Sequence, residues 1–227
     1  MIQSSEIRAL TAVLCRTGWL SDQEPEFREW VLRCAHWKQI GSDGIVYLAG
    51  DEPDGLYGLA SGALDISVPV MGSEQVSITR GEPGFWVGEG AVLAGTRRVL
   101  SVCAIQPSVV LYVPRNKLVA ILRQRPEWWR PFYELSHANA TLVSNLLGEV
   151  LALSARARIS RLLLRAGDDA GVITGRKEDL GRLIGLPRSS FNRELKHFFA
   201  EGIIESGYTS IKILRPEALE ALKDDAP

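Results

Sequence analysis

The sequence predicts an α+β chain: a block of short strands, then one long helix, then a compact helical segment closed by a β hairpin. Three observations predict it. Between Ile40 and Pro114 the chain breaks into short β-branched or alternating runs parted by turn residues; between Phe132 and Arg165 only Gly148 interrupts a helical pattern; and residues 177–199 set glycine and proline between two amphipathic stretches. With 227 residues the chain is long enough for one or two domains. Its 46% hydrophobic and 23% charged residues exclude wholesale disorder, a collagen-like repeat and a disulfide miniprotein.

The elements follow in order. From Glu6 to Trp37 the pattern is helical in pieces, with Phe27, Trp30, Val31 and Cys34 on one face at three- and four-residue steps. Strands are expected at Ile45–Leu48, Leu56–Ala60, Leu64–Val68, Val76–Ile78, Leu100–Ile105 and Val109–Val113. Turn chemistry separates them, as at Asp54-Gly55, Ser61-Gly62 and Gly81-Glu82-Pro83-Gly84, and many short strands at this spacing predict a closed double sheet or barrel. No proline occurs between Pro131 and Pro187. In the helix that follows, Leu142, Leu146, Val150 and Leu153 form one stripe and Val143, Leu147 and Leu151 a second. One helix face suffices for a surface helix, so the second stripe is expected against the chain's own barrel and the first against a partner helix in a parallel homodimer; burial inside a monomer is the alternative. The junction to the last segment is expected near Leu153–Arg156.

Charge is divided along the chain. Residues 1–150 hold 13 basic and 16 acidic side chains, whereas residues 151–215 hold 12 basic and 7 acidic, within an overall net charge of −1. A polycation is excluded, and a nucleic-acid surface must be local. The basic segment contains the arrangement such a surface needs. Leu180, Leu183 and Ile184 make the inner face of a short helix ended by Gly185; Leu186-Pro187 turns the corner; and on the second helix Phe191, Leu195 and Phe198 share one side. The opposite arc carries Arg188, Asn192, Lys196, Ser189 and Arg193, with Ser190 beside them, and is read as free of apolar groups. Arg and Asn make bidentate hydrogen bonds to base edges in a major groove that admits one helix, while Lys and Ser hold phosphates. A solvated helix also has a polar face, but here two arginines and a lysine share one arc after a glycine turn in a net-positive segment. Gly202 to Ile213 then reads as a two-stranded wing.

A second constellation lies in the strand block, where Gly84-Phe85-Trp86-Val87-Gly88-Glu89-Gly90 is followed by Arg97-Arg98. Amides at a helix start with a nearby arginine make a phosphate cradle, and a glutamate beside them accepts from a ribose hydroxyl; a tight turn and a solvated loop are the plain alternative.

Other chemistries find no support. Cys15, Cys34 and Cys103 form no C-x-x-C pair, so they are expected as reduced structural thiols with no metal bound. The histidines are His36, His137 and His197, and Ile40–Pro114 holds none, against a metal-dependent barrel enzyme. There is no P-loop, no G-x-G-x-x-G and no H-E-x-x-H, so no catalytic residues are expected. Neither a secretory signal nor a membrane span is apparent, and a cytoplasmic protein is expected.

The ordered set resembles the cAMP receptor protein and fumarate–nitrate reductase regulator (Crp/Fnr) superfamily over nearly the full length. The residues carrying this are Ala49-Gly50-Asp51-Glu52-Pro53-Asp54-Gly55-Leu56-Tyr57, Ser61-Gly62, Gly88-Glu89 with a downstream arginine, the long helix and the helix-turn-helix. The resemblance implies a jelly-roll sensor domain at 1–131, a dimerisation helix at 132–153 and a winged helix-turn-helix at 154–227. It implies a homodimeric transcriptional regulator that binds a near-palindromic DNA duplex and acts with RNA polymerase. It further implies a cyclic nucleotide, cAMP or cGMP, as effector, bound by Gly88 and by Glu89 at the ribose, with Arg98 or Arg97 at the phosphate and Ser144 facing the base. Val99 and Leu100 stand where the cyclic-nucleotide pattern has a hydroxyl residue and alanine. An orphan regulator, with those two side chains helping to fill the pocket, is therefore the alternative, and a ligand-binding module without DNA the third.

Overall fold

A computed structural model describes residues 3–70, 75–168, 170–174, 180–181, 183–207 and 210–226. It divides into two compact units, Met1–Thr141 and Leu142–Pro227.

The first unit starts with α1 (Ser4–Arg16) and α2 (Pro25–Cys34). Among the described residues eight strands follow: β1 (His36–Ile40), β2 (Ile45–Tyr47), β3 (Gly55–Ser61), β4 (Leu64–Pro69), β5 (Gln75–Gly81), β6 (Trp86–Val87), β7 (Ser101–Ala104) and β8 (Ser108–Pro114). They form two antiparallel four-stranded sheets, ordered β1-β8-β3-β6 and β2-β7-β4-β5, the double-sheet roll expected. β1 lies where the helical reading was extended to Trp37, and the reason is local. Ala35 is extended at the end of α2, and residues 36–40 then pair with β8 from His36↔Tyr112 through Ile40↔Ser108. β6 is only two residues long, too short for alternation to reveal.

Between the sheets Tyr47, Tyr57, Leu59, Leu64, Ile66, Val102 and Val110 form one core. A second, aromatic core joins Phe27, Trp30, Trp86, Trp128 and Phe132, with Trp19 packed against it, and includes edge-to-face pairs such as Phe27–Trp128 at 5.2 Å. Most of the six tryptophans are thus core filling, Trp86 among them at 1% exposed. Three helices complete the unit: α3 (Glu89–Ala94), α4 (Arg115–Gln124) and the start of α5 (Trp129–Ala152).

The second unit contains the rest of α5, then α6 (Ala155–Ala166), α7 (Arg188–Ala200) and α8 (Pro216–Leu222). Ser154 caps α6, its hydroxyl accepting from the Ala157 amide at 3.1 Å, so the helical stretch is broken between α5 and α6. The wing has three strands rather than two: β10 (Ile204–Ser206) pairs β11 (Ser210–Ile213), which pairs β9 (Val172–Thr174). β9 was missed because three residues carry too little pattern, yet Ile173 is 2% exposed and belongs to the core of this unit.

Candidate functional sites

α7 is amphipathic with its sides as expected. Phe191, Leu195 and Phe198 are 0%, 4% and 0% exposed and pack with Ile159, Leu163, Ile184 and Ile203. Arg188, Ser189, Arg193 and Lys196 are exposed, and Ser190 and Asn192 half-buried. Arg193 donates to the neighbouring Glu194 at 3.3 Å while most of its side chain stays in solvent. The preceding helix falls mainly outside the described residues. Of its named positions, Leu180 is buried and helical, and Leu183 to Gly185 form a turn. A Cβ on Gly181 would lie 3.1 Å from the Phe191 ring, so glycine there permits the close approach of α7. One feature of the sequence reading is overturned. Phe199 is 57% exposed, and at 100° per residue it falls between Arg188 and Asn192, so the polar arc does carry an apolar group at its C-terminal end.

In the roll, three of the five sensor residues meet. Arg98 is 3% exposed. Its Nη1 donates to the Gly88 carbonyl at 2.7 Å, and its Nη2 to the Gly55 carbonyl at 2.6 Å and to Asp54 Oδ1 at 2.9 Å. The guanidinium also stacks 4.1 Å from the centroid of Tyr47. Gly88 has φ +104°, and a Cβ there would sit 2.6 Å from Arg98 Nη1, so only glycine lets the arginine dock on this carbonyl. Glu89, next in the chain, is 8% exposed and accepts from Asn139 Nδ2 at 3.0 Å. Burial pushes the Glu89 carboxyl up from its ordinary value, against the bonds from Asn139 and Ser136. Arg97 is elsewhere: it is exposed, pairs with Glu52 at 2.7 Å and donates to the Gly50 carbonyl. Ser144 is an exposed position of α5 in the second unit. Val99 is 73% exposed and fills no pocket; the place read for it is taken by Arg98 with Asp54 and Tyr47.

Asp54, Tyr47 and Asn139 are functional candidates that were not singled out. Asp54 stood in the quoted turn motif, but a turn aspartate is usually a turn former. Here burial opposes its ionisation, yet hydrogen bonds from Tyr57 and Arg98 outweigh it and hold the carboxyl below its ordinary range. Asn139 lies outside the motifs quoted from the sequence; it donates to Glu89 and, at 3.2 Å, to the Trp86 carbonyl.

The arginine's fit to a phosphate can be judged from its partners. Both Nη atoms are committed to protein oxygens, and Nε is buried with no partner among the described residues. Three of the five guanidinium N–H groups are thus used on protein oxygens and its charge is balanced by Asp54, so an anion entering the roll meets an arginine already paired with a carboxylate. Among the described residues no group of three His, Cys, Asp or Glu is placed to hold a metal, and no helix is long and apolar enough to cross a membrane.

Comparison with known proteins agrees with this architecture. The cyclic nucleotide-binding domain family matches residues 37–125, and the Crp-like helix-turn-helix domain family matches residues 157–222. FixK2 from Bradyrhizobium japonicum is similar in fold, with TM-score 0.75, 20% identity, 85% of this chain and 98% of that one covered. A CRP/FNR-family transcriptional regulator from Thermus thermophilus gives TM-score 0.71 at 17% identity over 85% and 100% of the two chains. The regulator CLP from Xanthomonas campestris, described as c-di-GMP responsive, gives 0.71 at 17% over 84% and 99%. No curated protein matches in sequence. The two domains in this order define a DNA-binding transcriptional regulator with a cyclic nucleotide-binding domain, in a family of regulators rather than enzymes. The chain belongs to the Crp/Fnr superfamily.

Proposed function

We propose that the protein is a homodimeric, sequence-specific regulator that reads duplex DNA through α7 and regulates RNA polymerase in the cytoplasm. Its organisation is a sensor at 1–131, a dimerisation helix at 132–153 and a DNA-binding domain at 154–227. The carrying observation is the two-sided α7: three buried apolar side chains fix it to its own core, and Arg188, Ser189, Asn192, Arg193 and Lys196 lie on the other side. The groups supporting a dimer are on α5, where Val143, Leu147, Val150 and Leu151 are 43–74% exposed. Val143, Leu147 and Leu151 belong to the second stripe, expected from sequence against the chain's own barrel, and Val150 to the first, so neither stripe is fully covered.

The sensor is read as working without a cyclic nucleotide in the roll, because Arg98 already holds a carboxylate of its own chain. The cyclic-nucleotide reading keeps one support, since Gly88, Glu89 and Arg98 converge at the family's positions. Selection of bound sequences from a random duplex pool tests the DNA reading: one palindromic consensus is expected, and Arg193→Ala or Arg188→Ala is expected to cost about 1–3 kcal/mol and relax preference at one step. Equal loss on all sequences makes them phosphate contacts. Calorimetry with cAMP and cGMP tests the sensor: no binding is expected, and binding abolished by Arg98→Ala overturns the orphan reading.

A further inference from the structure

Beside the roll lies an open cavity of about 630 Å³, lined by Asp54, Tyr112, Arg115, Asn116, Val119 and Arg123 among others. Four of these share one α4 face: Arg115, Val119 and Arg123 recur at four-residue steps, with Asn116 alongside. The two arginines stand about 12 Å apart along the helix. Neither has a carboxylate partner among the described residues, and Asp54, the one acid among the cavity's described lining, is already paired with Arg98. Asn116 Oδ1 accepts from the Lys117 amide, which leaves its NH2 as a donor. The polar lining therefore offers donors and positive charge around an apolar floor of Pro114, Val119 and Ala120. A site of this size and lining suits a small, multiply charged organic anion.

The cavity is one bond from the buried arginine. The Asp54 carbonyl accepts from the Arg115 amide at 2.7 Å and from the Tyr112 hydroxyl at 2.9 Å, while its carboxylate accepts from Tyr57 at 2.5 Å and from Arg98. Arg98 in turn holds Gly88, and Glu89 holds Asn139 on α5. We propose that this cavity is an effector site for a polycarboxylate or phosphate-bearing small molecule, held by Arg115 and Arg123 and sensed through Asp54 and Arg98. The proposal rests on the reading that the roll itself takes no cyclic nucleotide.

The full-length chain is titrated by calorimetry with citrate, with AMP and with inorganic phosphate; citrate binding points to a carboxylate ligand, AMP binding to a phosphate monoester. At least one probe is expected to bind, and Arg115→Gln with Arg123→Gln to weaken it about tenfold or more. The same double variant should bind its selected DNA unchanged when no probe is present, so failure of the DNA reading shows separately. On binding, the Arg98 Nε–H nuclear magnetic resonance signal should move in the wild type and stay still in Asp54→Asn. No binding by any probe, binding unaffected by the double variant, or binding lost only in Arg98→Ala overturns the site. Binding that leaves the Arg98 signal unmoved overturns the coupling.

Discussion

At the scale of single residues, the sensor unit depends on how two buried charges are handled. Arg98 has left water and is compensated by two carbonyls and one carboxylate, so losing the carboxylate leaves a guanidinium under-paired. Asp54→Asn should therefore destabilise the first unit by about 1–3 kcal/mol, toward the lower end because nearly half of the aspartate side chain is exposed (45%), as read by urea unfolding. Glu89 has the opposite sign. Burial raises its folded-state pKa above the ordinary 4.5, so between those two values the folded chain binds more protons than the unfolded one. Stability from this group is complete below the unfolded pKa and falls as pH rises through the folded one. Glu89→Gln, which stays neutral, should flatten that fall in unfolding experiments run from about pH 4.5 upward. An unchanged pH dependence would assign the effect to another group.

At the scale of elements, α7 and α5 make complementary predictions. Phe191 is fully buried between α6, the residues around Gly181 and the wing, so Phe191→Ala should cost about 3–5 kcal/mol and abolish DNA binding by unfolding the second unit. Lys196→Ala should leave that unit folded, by circular dichroism, and weaken DNA binding similarly on every sequence. On α5, Leu147 is 57% exposed in a helix whose neighbours Val143 and Leu151 are exposed too. Leu147→Glu should convert a dimer into a monomer in sedimentation, since burying a carboxylate in an apolar seam is costly. Periodicity made both helices legible because each runs for three turns or more. It failed for β1, β6 and β9, where pairing with a distant strand decides the conformation. It also failed for the sensor site, because whether Arg98 meets a ligand or Asp54 depends on a side chain 44 residues away in the chain. The exposure of the second α5 stripe has the same origin: a helical wheel shows that two apolar faces exist, but not how far the fold covers either.

At the scale of the whole molecule, the division of charge sets how the regulator meets its target. The segment 151–215 carries 12 basic against 7 acidic residues while the chain as a whole is close to neutral, so attraction to DNA is confined to one end. Binding should weaken as salt rises, with a slope reporting only the phosphates that this segment contacts. A dimer joined along α5 would present two copies of α7, and two-fold symmetry then requires inverted half-sites, expected about one helical turn, or 10–10.5 base pairs, apart. Inserting about five base pairs between half-sites turns one of them to the opposite side of the duplex, where the second α7 cannot reach it. Affinity should fall to that of an isolated half-site, and inserting a full turn should restore little unless the junction at Ser154 stretches. Electrophoretic titration of the three spacings measures this directly. Equal affinity for all three would mean that the chain reads DNA as a monomer, and the exposed α5 stripe would need another explanation.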